Sequence, residues 1–197
     1  MIFQPTYFSQ IAQFQQMLKA DEIVFEVHDN YLKQTYRTRL QIYDTNGLLN
    51  LTIPVQNIKG VKQKTKDTRI DNSEKWQQNH FRSLKNAYQS SPFYEFYEDD
   101  IIPLYEKPQK YLLDFLLKTQ EVALEMLQIE TKTLKSEEFK LNYATDFDYR
   151  LLANVKNNKA FIAKEYQQVF RIKHGFIPNL SILDLLFNEG PNAISFL

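Results

Sequence analysis

An α+β fold, or a mixed α/β one, is predicted for a single compact domain over residues 1–197, with an N-terminal helix and a β-hairpin followed by helices. Three observations predict it. Asn46-Gly47 stands between two β-rich runs, and an Asn-Gly step there is a strong hairpin signal because both residues tolerate positive φ. Trp76, His80, Leu84 and Tyr88 recur four apart, so they share one face of a helix. Ile182, Leu185, Leu186 and Phe187 fall between cap-forming residues and Gly190, which marks a final buried helix. Helix, strands and helices succeed one another without regular β-α-β alternation.

Taken in order, Ile11, Phe14 and Leu18 repeat at helical spacing, with Ser9 placed to cap the first helix. Residues 23–27 are β-rich and predict a strand. Residues 39–43 and 48–55 are the two hairpin strands, and Pro54 ends the second or puts it at an edge. The next helix is predicted over 73–88, and Ser91-Pro92 stops it. Pro108 suits the first turn of a helix running to about Gln128. Leu112, Phe115, Leu116, Val122, Ala123 and Met126 give that helix a wide core stripe. Residues 132–139 fit no single period, 146–154 have some helical character, and 166–172 are β-prone. Asn179 or Ser181 caps the last helix, over about 180–188. Ser181 and Asp184 stand at capping-box spacing, a weak version because Asp is shorter than Glu.

Composition excludes several function classes. The chain has 24 Lys plus Arg against 24 Asp plus Glu. Zero net charge argues against a generic nucleic-acid binder, which shows a cationic excess. Cys is absent, which removes disulfides, thiolate metal sites and cysteine nucleophiles. The four glycines are scattered, so no Gly-rich phosphate cradle can form. No run approaches a membrane span. The first ten residues lack a basic leader and a long apolar core, so a cytoplasmic location is expected. Residues 56–69 hold Gly60 and five cations against Asp67. They read as a mobile loop, either simply solvated or a flap that meets phosphate.

Candidate chemistry rests on three histidines. Each has a carboxylate nearby in sequence or register: Asp29 beside His28, Asp71 before His80, Asp184 after His174. If they converge, an imidazole oriented by a carboxylate can serve as general base. His80 is the strongest candidate, because rings on its own helix face would lower its pKa by desolvation. The spacings match no metal-ligand template, so no metal ligand is assigned, and the cofactor is unknown. Residues 28–39 mix polar and aromatic side chains. Arg37 and Arg39 are two apart, so on a strand they would fork onto one phosphate or carboxylate. Asn30, Tyr31, Gln34 and Tyr36 look like hydrogen-bonding ligand contacts, Lys33 adds a cation, and Trp76 and Tyr36 could stack on a ring. Each of these also has a bland structural reading, as core or solvent-face residue.

Ordered motifs then point to a family. Gln4-Pro5-x-Tyr7-Phe8 with Phe14, Asn30-Tyr31-x-Lys33-Gln34-x-Tyr36-Arg37-x-Arg39, and Leu51-Thr52-Ile53-Pro54-Val55 come first. Ile70-Asp71, Trp76, His80, Tyr88 and Ser91-Pro92-Phe93-Tyr94 follow. Tyr166-x-x-Val169-Phe170 and the run from His174-Gly175-Phe176 to Gly190 close the set. Each motif is weak alone, but the ordered set resembles the WbqC-like family over nearly the whole chain, most of all its short Bacteroidetes forms. Ser9 departs from it, since members usually carry Pro there, and Ala12-Gln13 replaces an aromatic position. The resemblance puts Gln4 among the substrate-binding residues. It implies work on surface polysaccharide such as O-antigen, or on sugar nucleotides, as an acyl or aminoacyl transferase.

The expectation is therefore a group transferase binding a small molecule or sugar nucleotide, with homo-oligomerisation left open. His80, His174, His28, Asp71 and Asp184 are its catalytic candidates. Two other readings stand beside it. One is a non-catalytic binding or scaffold module that docks through the apolar 193–197 tail. The other is metal-dependent hydrolysis.

Overall fold

The computed structural model describes residues 1–56, 62–156, 161 and 163–197. It is a mixed α and β structure. Strand β1 (Ile2–Phe3), helix α1 (Ile11–Met17) and strand β2 (Glu22–Phe25) form one β-α-β unit, because β1 and β2 pair in parallel. The hairpin is β3 (Arg39–Asp44) and β4 (Gly47–Thr52). Helices α2 (Trp76–Tyr88), α3 (Tyr94–Glu106) and α4 (Leu112–Met126) follow, then β5 (Lys132–Lys135). A short helix α5 (Arg171–His174) precedes the last one, α6 (Ile182–Glu189). The parallel sheet has the order β1-β2-β5. One core cluster runs from Phe3 to Ala193. No helix among the described residues is long and apolar enough to cross a membrane.

Several elements form as their residues dictate. The hairpin turn is Thr45-Asn46, and Asp44 pairs with Gly47. Only Gly47 takes a positive φ, +98°, so the glycine alone meets the left-handed requirement expected of both residues. β4 ends two residues before Pro54, whose missing N–H cannot continue a ladder. Trp76, His80, Leu84 and Tyr88 are all buried along α2. Leu112, Phe115, Leu116, Ala123 and Met126 are buried on α4, with Val122 half-buried.

Helix starts are more unusual. Ser181 caps α6, its hydroxyl accepting from the Leu183 N–H at 3.3 Å. Asn179 instead caps the other helix: its side-chain oxygen accepts from Ala12 N–H at 2.9 Å, and Leu180 C=O accepts from Ile11 N–H at 3.0 Å. Thus the segment before α6 satisfies the free donors of α1 across 167 residues of chain. Ser9 is no cap. Its hydroxyl bonds Thr6 and donates to Gln120 of α4.

The structure differs from the sequence reading at five further places. β1 is too short for a periodic signal, and it holds because Met1 C=O, Ile2 and Phe3 C=O bond both neighbours, 147–149 and β2. Helix α3 occupies a stretch with no predicted element. Tyr94, Tyr97, Ile101, Leu104 and Tyr105 give it a buried stripe at helical spacing, which the many acidic residues and Pro103 obscure. Residues 166–172 make no strand but lead into α5. Pro108 lies outside α4, which begins at Leu112. Within 56–69, Gly60 and Lys59 fall outside the described residues, whereas Thr65 and Thr68 are fully buried rather than part of a loose loop.

Asp184 ties the fold's ends together. Its buried carboxylate accepts from Tyr88 (2.7 Å), Tyr166 (2.5 Å) and Gln168 (2.9 Å). It does not complete a capping box. Burial pushes its pKa up, and the hydrogen bonds from Tyr166, Tyr88 and Gln168 pull it back. Gly190 ends α6 with φ +54°, and a Cβ there would lie 2.4 Å from the Phe93 ring. Replacing Gly190 with Ala should therefore cost roughly 1–3 kcal/mol, from the left-handed φ and the overlap together. Urea unfolding of the variant checks this, and an unchanged midpoint contradicts it.

Candidate functional site

Three parallel strands end on the same side, and polar residues gather there. Gln4 follows β1, Glu26 to Asp29 follow β2, and Ser136 follows β5. The start of α1, with Gln10 and Gln13, comes back to this end because the helix follows β1 directly. In open α/β sheets the carboxyl ends of the strands are where ligands bind.

A buried ion pair organises the end. Arg37 Nη2 meets Asp29 Oδ2 at 2.5 Å, and both side chains are almost sealed from solvent. Gln4 Nε2 donates to the same oxygen at 3.0 Å, and the Thr65 hydroxyl donates to the other at 2.7 Å. Arg37 Nη1 reaches the Thr35 hydroxyl at 3.4 Å. Beside it, Glu26 Oε1 accepts from His28 N–H and the Ser136 hydroxyl, at 2.8 and 2.9 Å. Its Oε2 faces Arg150 Nη1 at 3.7 Å.

The same region holds hydrogen-bonding capacity that the chain does not use. Gln13 Nε2 donates to Gln4 C=O at 2.9 Å, but Gln13 Oε1 and Gln4 Oε1 have no partner. Neither does Arg37 Nε, nor either amide atom of Gln10. Gln10 and Gln13 are each 1% exposed. Burying an amide without partners costs about 1–3 kcal/mol, so this arrangement disfavours folding unless it serves something else. Phe8, between these glutamines, sits at φ +42°, a strained conformation of the kind that concentrates at functional sites.

The predicted residues divide. Gln4 and Arg37 come together on the Asp29 carboxylate, whereas Tyr36, next to Arg37 in the chain, bonds elsewhere: its C=O accepts from Tyr7 N–H at 2.9 Å and its hydroxyl donates to Gln41 at 3.0 Å. Asn30, Lys33 and Gln34 are exposed on the loop that the Asp29–Arg37 pair closes. Arg39 is half-buried on β3, while Arg37 precedes the strand and turns inward. The two guanidiniums therefore do not form a fork.

The three histidines have three separate environments. His28 is half-buried at the carboxyl end, and its neighbour Asp29 pairs with Arg37 instead. His174 is exposed on α5, its Nε2 2.9 Å from Thr45 C=O, with its ring tilted against Tyr43. His80 lies in the core, with Nδ1 3.1 Å from the Tyr7 hydroxyl, which bonds the Tyr105 hydroxyl at 2.7 Å. The Trp76 ring meets His80 edge-on at 5.1 Å and Phe115 at 5.5 Å. Trp76 Nε1 donates to Asn72 at 3.2 Å. Asp71 accepts from Ser73 N–H at 3.0 Å, which lowers its pKa, and no hydrogen bond joins it to His80. Asp184 holds Tyr88, eight residues or about 12 Å along α2 from His80. Among the described residues, no three His, Asp or Glu side chains cluster as metal ligands would. Sequence reasoning missed Gln10 and Gln13, which look like the polar face of an ordinary helix.

Burial lowers the His80 pKa to about 4, against a smaller upward pull from the Thr52 carbonyl. The direction is the one expected from its ring neighbours. A folded pKa below the unfolded value of about 6.5 adds stability above that pH and loses it as pH falls. The loss should total about 3 kcal/mol between pH 6.5 and 4. Denaturant midpoints of wild type and His80→Phe across this window check it, since the variant should lack that component.

The WbqC-like protein family matches the chain over residues 4–161 and again over 150–196. A Mycobacterium tuberculosis (strain ATCC 25618 / H37Rv) protein named uncharacterized protein Rv1507c is 28% identical over 228 residues, covering 100% of this chain and 96% of that one. No solved structure matches significantly. The matched stretches include the opening glutamine motif, the residues of the buried ion pair and the last helix. On that coverage, the chain belongs to the WbqC-like protein family.

Proposed function

We propose that this chain, acting as one unit over residues 1–197, is a cytoplasmic group transferase. It moves an acyl or aminoacyl group onto a sugar nucleotide or glycan in surface-polysaccharide metabolism. One observation carries the reading: the buried amide oxygens of Gln4, Gln10 and Gln13, the Gln10 Nε2 and the Arg37 Nε all lack a hydrogen-bond partner. Asp29 already balances the Arg37 charge, so the group recognised here is neutral. Hydroxyls suit it, because each both donates to an amide oxygen and accepts from Nε or an amide N–H. A sugar ring supplies several of them at fixed spacing.

The remaining predicted residues take roles around those groups. Tyr36, next to Arg37, backs them. Asn30, Lys33 and Gln34 on the exposed loop, with Arg39, meet the charged part of a nucleotide sugar. His28 is the imidazole at this end and serves as general base. It takes the proton from the acceptor hydroxyl or amine as that atom attacks the acyl carbonyl, and the leaving group departs with the donor's bonding pair. His80, locked between Tyr7 and the Thr52 carbonyl, positions Tyr7. His174, Asp71 and Asp184 hold the frame. The tail is engaged within the chain, with Ala193 buried and Phe196 against Tyr166.

The test is a leucine scan of the amides. Gln10→Leu removes two atoms that the chain leaves unpaired, so its apo protein should melt as high as wild type or higher, by up to about 2 kcal/mol in stability, whereas Gln13→Leu also removes the bond from Nε2 to Gln4 C=O and should stay within about 1 kcal/mol of wild type. UDP-N-acetylglucosamine should raise the wild-type melting temperature by mass action. The variants should lose that shift by about tenfold in affinity or more. If both variants melt lower and ligand shifts are unaffected, the amides are structural. Binding without turnover in any acyl-donor mixture returns the reading of a binding module.

A further inference from the structure

Strand β5 pairs with β2 on one side only. Among the described residues, no backbone hydrogen bond or bridge reaches its other edge. All four of its residues are exposed. A free edge of this kind is a template for another strand.

Register decides what lies under that edge. Thr133 stands opposite Ile23, and Lys135 opposite Phe25. Paired residues share a face, so Thr133 and Lys135 are on the face where Ile23 and Phe25 are buried. Between this face and α4 runs a cleft of about 440 Å³ lined by Phe25, Leu117, Leu124 and Ile129. Glu121 and Glu125, one helical turn apart, and Glu130 also line it, against the single cation Lys135. Among the described residues none of these three carboxylates has an ion-pair partner, although seven ion pairs form elsewhere.

We propose that the β5 edge and this cleft dock an extended, basic segment of a partner protein. The segment adds as a fourth strand beside β5. Its inward aliphatic side chains cover Phe25, Leu124 and Ile129, and a Lys or Arg lies between Glu121 and Glu125. Charge complementarity selects this occupant. A second copy fits poorly, because two β5 strands paired antiparallel about a two-fold axis set Lys132 against Lys135, and directly opposed like charges are destabilising.

The probe is a fluorescein-labelled Thr-Val-Thr-Lys-Thr-Val amide, whose two Val and one Lys share a strand face, with Glu in place of that Lys as control. Anisotropy should show the basic peptide binding, more weakly at about 300 mM than at about 50 mM salt. Hydrogen exchange should slow in residues 132–135. The double variant Glu121→Lys/Glu125→Lys, changed only at exposed side chains, should keep the wild-type melt and lose about tenfold or more in affinity. The proposal fails if the basic peptide does not bind, binds the double variant equally, or protects a segment other than β5. It also fails if the control peptide binds as tightly, or if the free protein self-associates through β5.

Discussion

The site depends on one interaction, the sealed pair between Asp29 and Arg37. A guanidinium removed from water must keep a counter-charge, and breaking such a pair costs about 3–5 kcal/mol. Asp29 stands just after β2 and Arg37 just before β3, so the pair pins both ends of the exposed loop between them. It also fixes Gln4 and Thr65 on the same carboxylate. Arg37 Nε and the amide oxygens of Gln4 and Gln13 are left without a partner. Because Asp29 neutralises the guanidinium, the proposed recognition at this depth is of hydroxyls rather than phosphate.

A second polar centre makes the frame rigid enough to hold that arrangement. Tyr88 donates to Asp184 and accepts from Tyr43 N–H at 3.0 Å, so one hydroxyl joins α2, β3 and α6. Tyr166 and Gln168 bring the segment before α5 to the same carboxylate. Asn179 and Leu180 cap α1 from that side. The opening segment is thus held by the closing one, and by Thr119 and Gln120 of α4, whose side chains bond Thr6 and Ser9. Gln10 and Gln13 cannot swing out to find water without undoing these links.

Much of this was legible in local pattern. The hairpin, the buried face of α2, the stripe of α4 and the limits of α6 follow from spacing, caps and Gly47. The parallel sheet was not legible, because β1 is two residues long and β2 meets β5 across about a hundred residues, which no local period records. Helix α3 was hidden by Pro103 and its acids, although its stripe is there to be counted. At the site, Gln4, Tyr36 and Arg37 were singled out, but two-residue spacing wrongly put Arg37 on a strand with Arg39. Sequence neighbours also misled: Asp29 lies beside His28 in the chain and beside Arg37 in space. Gln10 and Gln13 carry no local sign at all, since the same letters on a free helix face would be solvated.

Helix α4 separates the two surfaces this structure offers. Thr119 and Gln120 face the opening segment, and Glu121 and Glu125 face the cleft beside β5. Coupling between such surfaces needs an element with two discrete arrangements. α4 contains neither Gly nor Pro and is buried along most of its length, so it has no hinge to provide one. A strand added at β5 extends the sheet sideways and leaves the carboxyl ends of β1 and β2 where they are. On the proposals made above, docking at β5 and recognition at the glutamines would therefore be set independently, on opposite sides of one helix.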